Sequence, residues 1–153
     1  MKLKKGRKAP AFTISDQDGN MVSLSDYAGH KVALFFYPQD NTPTCTKEAC
    51  NLRDNIALLK KKGIAVIGVS TDTPRKHQNF IKKFSLPFPL LADVDKKLVN
   101  LYGVWDWKTT FGVTYEGTLR TTFLINEEGK IDHIIEKVDS GNHAQQIVDT
   151  WEL

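Results

Sequence analysis

An α/β fold with a mixed central sheet between layers of helix is what the pattern of this 153-residue chain predicts. Three observations carry that expectation. Apolar runs of strand length alternate with segments of helical period, the signature of strands joined by helical crossovers. A strand, a turn and a second strand then precede a last helix, so part of the sheet is expected to be antiparallel. The connections are short, with no internal repeat and no linker rich in Pro, Gly or Ser, so residues 1–153 are expected to form a single domain.

In chain order, Phe12–Ile14 and Met21–Leu24, either side of Asp-Gln-Asp-Gly-Asn, read as a small N-terminal hairpin. Val32–Tyr37 is a continuous apolar run, as in a strand covered on both faces. From about Pro43 to Lys62, Cys45, Ala49, Leu52, Ile56 and Leu59 recur at alternating spacings of four and three, which makes one apolar stripe on a helix ended by Gly63. Ile64–Ser70 is a second buried strand. Thr73-Pro74 then reads as an N-cap with proline at the first helical position, opening a helix that runs to about Phe84. Beyond Pro87 and Pro89, Leu90–Ala92 is a short strand and Asp95–Tyr102 a short helix closed by Gly103. Val104–Gly117, with Trp105, Trp107, Phe111 and Tyr115, shows no clear period and reads as a loop. Thr121–Ile125, the turn Asn126–Gly129 and Lys130–Val138 form a hairpin, and Asn142–Trp151 a terminal helix. This order favours a thioredoxin-like three-layer arrangement, a central mixed sheet flanked by helices with the N-terminal hairpin beside it.

Composition excludes more than it names. With 41% hydrophobic and 25% charged residues the chain sits near the average of soluble globular domains, which rules out disordered, collagen-like and disulfide-scaffold classes. The net charge of +3 comes largely from Lys2, Lys4, Lys5, Arg7 and Lys8, a run read as a solvated basic tail because no aromatic residues are interleaved with it as in nucleic-acid binders. No apolar stretch of signal-peptide or membrane-spanning length occurs, so the expected location is the cytoplasm. There the two cysteines, Cys45 and Cys50, are expected to be thiols. His30, His77, His133 and His143 show no ligand spacing to one another or to the cysteines, so no metal site is expected.

The chemistry concentrates where the strand ending at Tyr37 gives way to a polar loop and the helix opens. Cys45 falls in that helix's first turn, where unpaired backbone N–H groups and the positive end of the macrodipole favour an anion, and the thiolate is the nucleophilic form of cysteine. Cys45 can also be read as a small hydrophobe at the top of the apolar stripe. The second cysteine argues against that. Cys50, five residues on, is rotated by about 140° from Cys45, away from the stripe and toward Thr46, Arg53 and Lys60, and structural cysteines rarely sit on a polar face. On an intact helix the two Cα atoms lie ~8.6 Å apart. A disulfide bridges no more than about 7 Å, so a Cys45–Cys50 bond demands local unwinding.

Pro38, Thr42 and Cys45 reproduce the proline, threonine and cysteine spacing of the peroxiredoxins, and the stretch Tyr37–Asp54 resembles their bacterioferritin comigratory protein, or peroxiredoxin Q, branch. The resemblance extends over nearly the whole chain, through Asp16-Gln17-Asp18-Gly19, Gly68–Asp72, Tyr102–Trp105 and Thr122–Ile125. It implies that Cys45 is the peroxidatic cysteine, that Thr42 hydrogen-bonds peroxide and thiolate, that Pro38 shields the pocket from water, and that Arg120 is the active-site arginine. It implies Cys50 as the resolving cysteine, and a cycle in which a Cys45 sulfenic acid condenses to a Cys45–Cys50 disulfide that thioredoxin or a similar dithiol reduces. Hydrogen peroxide and organic hydroperoxides are the substrates so implied. No cofactor is implied, nor a nucleic-acid or membrane partner, and a single subunit suffices. Glu48 matches a frequent acidic position and is expected to be structural, linked to Arg53 or Lys47. Thr44 departs from the glycine common in this branch.

Two other readings stay open on the residues alone. A thioredoxin-like disulfide oxidoreductase suits the fold, but such enzymes place two residues between their cysteines, and here there are four. A redox sensor would use the same helix, unwinding once on oxidation rather than cycling.

Overall fold

The computed structural model describes residues 3–153, so Lys2 of the basic run lies outside the described residues. Five strands make the central sheet: β3 (Lys31–Phe36), β4 (Ile64–Ser70), β5 (Leu90–Ala92), β8 (Thr121–Ile125) and β9 (Ile131–Ile135), in the order β5-β4-β3-β8-β9. β3, β4 and β5 run parallel, β8 pairs antiparallel with the other edge of β3, and β9 pairs antiparallel with β8. The sheet is therefore mixed, as expected.

Burial on both sheet faces explains the continuous apolar runs. Along β3, Ala33 and Phe35, with Tyr37 just beyond, face one core, and Val32, Leu34 and Phe36 face the other. The first core is filled from α1 (Pro43–Asp54), α2 (Ile56–Lys61), α3 (Pro74–Phe84) and α5 (His143–Trp151), through residues such as Leu52, Leu59, Phe80 and Ile147. The second is covered by α4 (Lys97–Leu101), Tyr102 and the N-terminal hairpin of β1 (Thr13–Ser15) and β2 (Met21–Ser23).

Where the structure departs from the expected boundaries, a local cause is visible. The single helix over Pro43–Lys62 is two, because Asn55 leaves helical geometry (φ −113°, ψ 16°) while its side-chain amide donates to the Asn51 carbonyl at 2.8 Å. The helix expected from Asp95 begins at Lys97, after Lys96 takes a left-handed φ of 63°. The Asp93 carboxylate accepts from the N–H groups of Leu98 and Val99 at its start. β9 stops at Ile135, not Val138, because its partner β8 offers five residues to pair with.

Two expectations are corrected outright. The basic segment is not a free tail: Gly6 N–H donates to Ile131 O (2.7 Å), Ile131 N–H to Arg7 O (2.8 Å) and Ala9 N–H to Gly129 O (2.9 Å), so its backbone pairs beside β9 while Lys4, Lys5, Arg7 and Lys8 keep their side chains in solvent. The segment Val104–Gly117 is not a loop but a ribbon of β6 (Trp105–Thr110) and β7 (Val113–Thr118), joined through Phe111 and Gly112. Most of its residues are exposed, so no burial alternation was imposed on the sequence.

Candidate active site

The polar segment Pro38–Thr42 joins the C-terminal end of β3 to the N-terminus of α1, and buried groups fix its shape. Tyr37 stacks on Phe35 and donates its hydroxyl to Asp40 Oδ1 at 2.5 Å. Burial first, and then the Asp40 charge, push the Tyr37 phenol well above its ordinary pKa, which keeps it a donor. Asp40 N–H donates to Asp72 Oδ2 (2.7 Å), which also accepts from Ser70 Oγ (2.7 Å). The other Asp40 oxygen lies 2.6 Å from His77 Nδ1, while His77 Nε2 lies 2.9 Å from the Leu91 carbonyl. That carbonyl can only accept, so Nε2 carries a proton, and a further proton lies between Nδ1 and Asp40. Asp40, Asp72 and His77 have ligand atoms within 4.8 Å of one another, the donor set a cation would need, but these atoms are already engaged by protein donors and acceptors.

Thr42 is the N-cap residue of α1 through its backbone, its carbonyl accepting from Thr46 N–H at 2.8 Å. The side chain does not cap; its hydroxyl donates to the Gln39 carbonyl at 2.9 Å. Pro43 occupies the first turn, where a missing N–H costs nothing. Pro38 is half-buried next to Tyr37, and Thr44, the departure noted above, is exposed.

Cys45 is 2% exposed and faces the first core. Arg120, between β7 and β8, donates through Nη2 to Cys45 Sγ at 3.2 Å and through Nη1 to Glu48 Oε1 at 2.6 Å. Glu48 stands three residues after Cys45 on the same helix face and is fully buried. Burial raises its carboxyl to about 7 against the opposing pull of Arg120. For Arg120, burial pulls downward but is outweighed by the charges of Cys45 and Glu48, and the guanidinium is held above its ordinary value. The expected partners of Glu48 are thereby corrected. Glu48 lies on the inward face, whereas Lys47 is exposed and Arg53 turns to the Phe84 carbonyl (2.8 Å) and Asp54.

Of the five residues singled out from the sequence, Cys45 and Arg120 are in direct contact. Thr42 and Pro38 frame the loop leading to Cys45. Cys50 is half-buried on the same intact helix, and both cysteines are free. Sequence reasoning missed two sets of residues. One is the Tyr37, Asp40, Asp72 and His77 cluster, for which a signal existed: Asp40 and Asp72 follow adjacent parallel strands, whose C-terminal loops meet. The other is His143, fully buried with its Nε2 3.4 Å from Glu48 Oε2, for which local sequence offers no signal.

The AhpC/TSA family profile matches residues 5–134. Peroxiredoxin Bcp of Escherichia coli strain K12 is 45% identical over 149 residues, covering 97% of this chain and 95% of that protein. Among solved structures, a cysteine-to-serine mutant of Xylella fastidiosa PrxQ superposes with a TM-score of 0.92 at 27% identity, over 99% of this chain and 97% of the other. The Xanthomonas campestris bacterioferritin comigratory protein, described for its alkyl peroxide reduction activity, gives a TM-score of 0.85 at 31% identity, over 92% and 90%. With the thioredoxin-like fold, the loop before α1 and the Cys45 to Arg120 contact in place, the chain belongs to the AhpC/TSA family and is a peroxiredoxin of the Bcp/PrxQ branch.

Proposed function

We propose that Cys45 is the peroxidatic nucleophile of this peroxiredoxin and Cys50 its resolving cysteine, in a cycle recycled by thioredoxin or a similar dithiol. The observation that carries the reading is the 3.2 Å contact from Arg120 Nη2 to Cys45 Sγ at the opening turn of α1. A fixed cation and a helix N-terminus both favour the thiolate. They also stabilise negative charge on an oxygen leaving from that sulfur.

The thiolate attacks the terminal oxygen of the hydroperoxide. An S–O bond forms as the O–O bond breaks, and the departing oxygen takes a proton to leave as water or an alcohol. The Thr42 hydroxyl, whose hydrogen is given to Gln39, presents lone pairs to accept from the hydroperoxide O–H. Pro38 screens the loop from bulk water. Cys50 then attacks the Cys45 sulfenic acid and expels water, after part of α1 unwinds. Thiol–disulfide exchange with an external dithiol restores both thiols. Hydrogen peroxide and alkyl hydroperoxides are the proposed substrates, the latter by likeness to the Xanthomonas protein. The cycle calls on no metal or organic cofactor, and one subunit in the cytoplasm can complete it.

Coupled NADPH oxidation with thioredoxin and its reductase tests the reading with both peroxides. The wild type is expected to turn over and Cys45→Ser to be inactive. Turnover surviving in Cys45→Ser would overturn it.

A further inference from the structure

Asn51, the residue after Cys50, ties α1 to the start of α5. Its side-chain oxygen accepts from Ala144 N–H at 2.8 Å, and its side-chain nitrogen donates to the Gly141 carbonyl at 3.0 Å. One amide thus holds both sides of the junction between the turn Ser140–Asn142 and α5, and gives an acceptor to an N–H that the first turn of α5 leaves unpaired. The Asn51 carbonyl accepts from the Asn55 side chain at 2.8 Å, at the break between α1 and α2. Lys47, one turn earlier, fills the space beside Gly141, where an added Cβ would lie 2.8 Å from its Cε. That contact is packing by a flexible stem, whereas Asn51 makes two directed hydrogen bonds to backbone.

The restraint on Cys45 is of a different kind. Its sulfur is held by Arg120 at 3.2 Å, a contact strongest with a thiolate. Once bonded to oxygen in a sulfenic acid, that sulfur no longer carries the anion, so oxidation weakens the hold on Cys45 and leaves both Asn51 bonds chemically untouched. The Cα atom of Cys50 is one peptide, about 3.8 Å, from that of Asn51. We propose that Asn51 is a positioning residue of the resolving step: it holds Cys50 in place while the opening turns of α1 unwind, so that Cys45 is the sulfur that travels. Cys45 leaves the first core and meets Cys50 at the latter's half-buried position. The Cys50 sulfur attacks there; the S–S bond forms as the S–O bond breaks, and the thiol proton leaves with the hydroxyl as water. The disulfide stays outside the first core, where an external dithiol can reach it. Backbone N–H groups of residues 51–54 donate to the carbonyls of residues 47–50 and open with them, but the side-chain bonds of Asn51 remain.

The inference rests on Cys50 being the resolving cysteine, and its test separates the two. Nuclear magnetic resonance follows the Ala144 N–H in the reduced protein and in the protein oxidised with one equivalent of hydrogen peroxide, its disulfide verified by mass. Ala144 is expected to keep its exchange protection on oxidation while the amides of Thr46 to Cys50 lose theirs. A disulfide accompanied by loss of Ala144 protection would overturn the proposal and leave the resolving role standing. Absence of any Cys45–Cys50 disulfide would remove both. Rapid-mixing kinetics give a second readout. Asn51→Ala is expected to oxidise Cys45 at the wild-type rate but to form the disulfide about tenfold more slowly, the effect of losing the hydrogen bonds that hold the target thiol in place. More Cys45 then ends as sulfinic acid under excess peroxide. A disulfide step as fast as in the wild type, or slowed only in parallel with the first oxidation, would mark Asn51 as merely structural and overturn the proposal. The exchange measurement needs no substitution and decides the matter alone, should Asn51→Ala not fold.

Discussion

Arg120 Nη2 stands 3.2 Å from Cys45 Sγ across 75 residues of sequence, and the same guanidinium reaches Glu48 with its other terminal nitrogen. A rigid planar fork serves two acceptors at once; a lysine ammonium at that site cannot. Arg120→Lys is expected to slow oxidation of Cys45 by hydrogen peroxide about 10²- to 10³-fold, the range for losing a preorganised donor to developing charge. Rapid-mixing tryptophan fluorescence measures the rate. A slowing of less than about threefold would contradict the role given to the fork.

Glu48 and His143 give opposing dependences of stability on pH. Folding raises Glu48 from 4.5 to about 7, so between those values the folded chain holds a proton that the unfolded chain has released, and stability falls as pH rises. Folding lowers His143 from 6.5 to about 4, so in that window the unfolded chain holds the extra proton and stability rises with pH. Glu48→Gln removes the first effect and leaves the second. Urea unfolding at pH 5 and pH 8 is expected to show the variant gaining about 2–3 kcal/mol on the wild type over that interval. Parallel profiles would contradict it.

The pair of Asp40 and His77 ties the loop before α1 to α3 and to the carbonyl of Leu91. His77→Leu leaves the buried Asp40 carboxyl without its hydrogen-bond partner, which costs about 1–3 kcal/mol. Asp40→Asn together with His77→Leu removes both partners of the hydrogen bond and is expected to recover part of that loss. Chemical denaturation of the single and double variants checks this, and additive losses would show that the two side chains do not act as a pair.

Formation of the Cys45–Cys50 disulfide requires α1 to open, because five residues of intact helix hold the two thiols too far apart. Amide exchange across Thr44–Asp54 is expected to lose protection in the oxidised protein, while β3 and β4 keep theirs. Unchanged protection in a protein shown to carry the disulfide would refute the unwinding.

The β6–β7 ribbon turns through Phe111 and Gly112, at φ 52° and 76°, the two positive values that a type I′ turn requires. Phe111 is wholly exposed and contributes no core packing to offset its left-handed backbone. Phe111→Asn supplies the preferred Asn-Gly pair and is expected to raise stability by about 0.5–1 kcal/mol in thermal or urea unfolding. A loss of stability would show that the ring makes a contact not accounted for here.

That turn also shows where sequence reading fell short. The hairpin signal is Asn-Gly or Asp-Gly between alternating strands. Here the first position is Phe and both faces of the ribbon are mostly in water, so neither the turn nor the alternation was written in the residues. By contrast, Ile64–Ser70, Leu90–Ala92 and Thr121–Ile125 were legible to the residue, because each is a buried run bounded by turn residues or proline. The site was legible where it is local. Cys45, Cys50, Thr42 and Pro38 lie within one loop and one helix, and Arg120 was reached through the family resemblance. The partner of Glu48 is not legible, because nothing local reveals that the residue preceding β8, Arg120, lies over α1. His143 and His77 came into view only with the tertiary contacts across the sheet ends.

The most direct test of the central claim is the mass of each cysteine-containing peptide after one equivalent of hydrogen peroxide. The account predicts a Cys45–Cys50 disulfide in the wild type, a single oxygen on Cys45 in Cys50→Ser, and unmodified Cys50 in Cys45→Ser. Oxidation of Cys50 at the wild-type rate when Cys45 is replaced would contradict it.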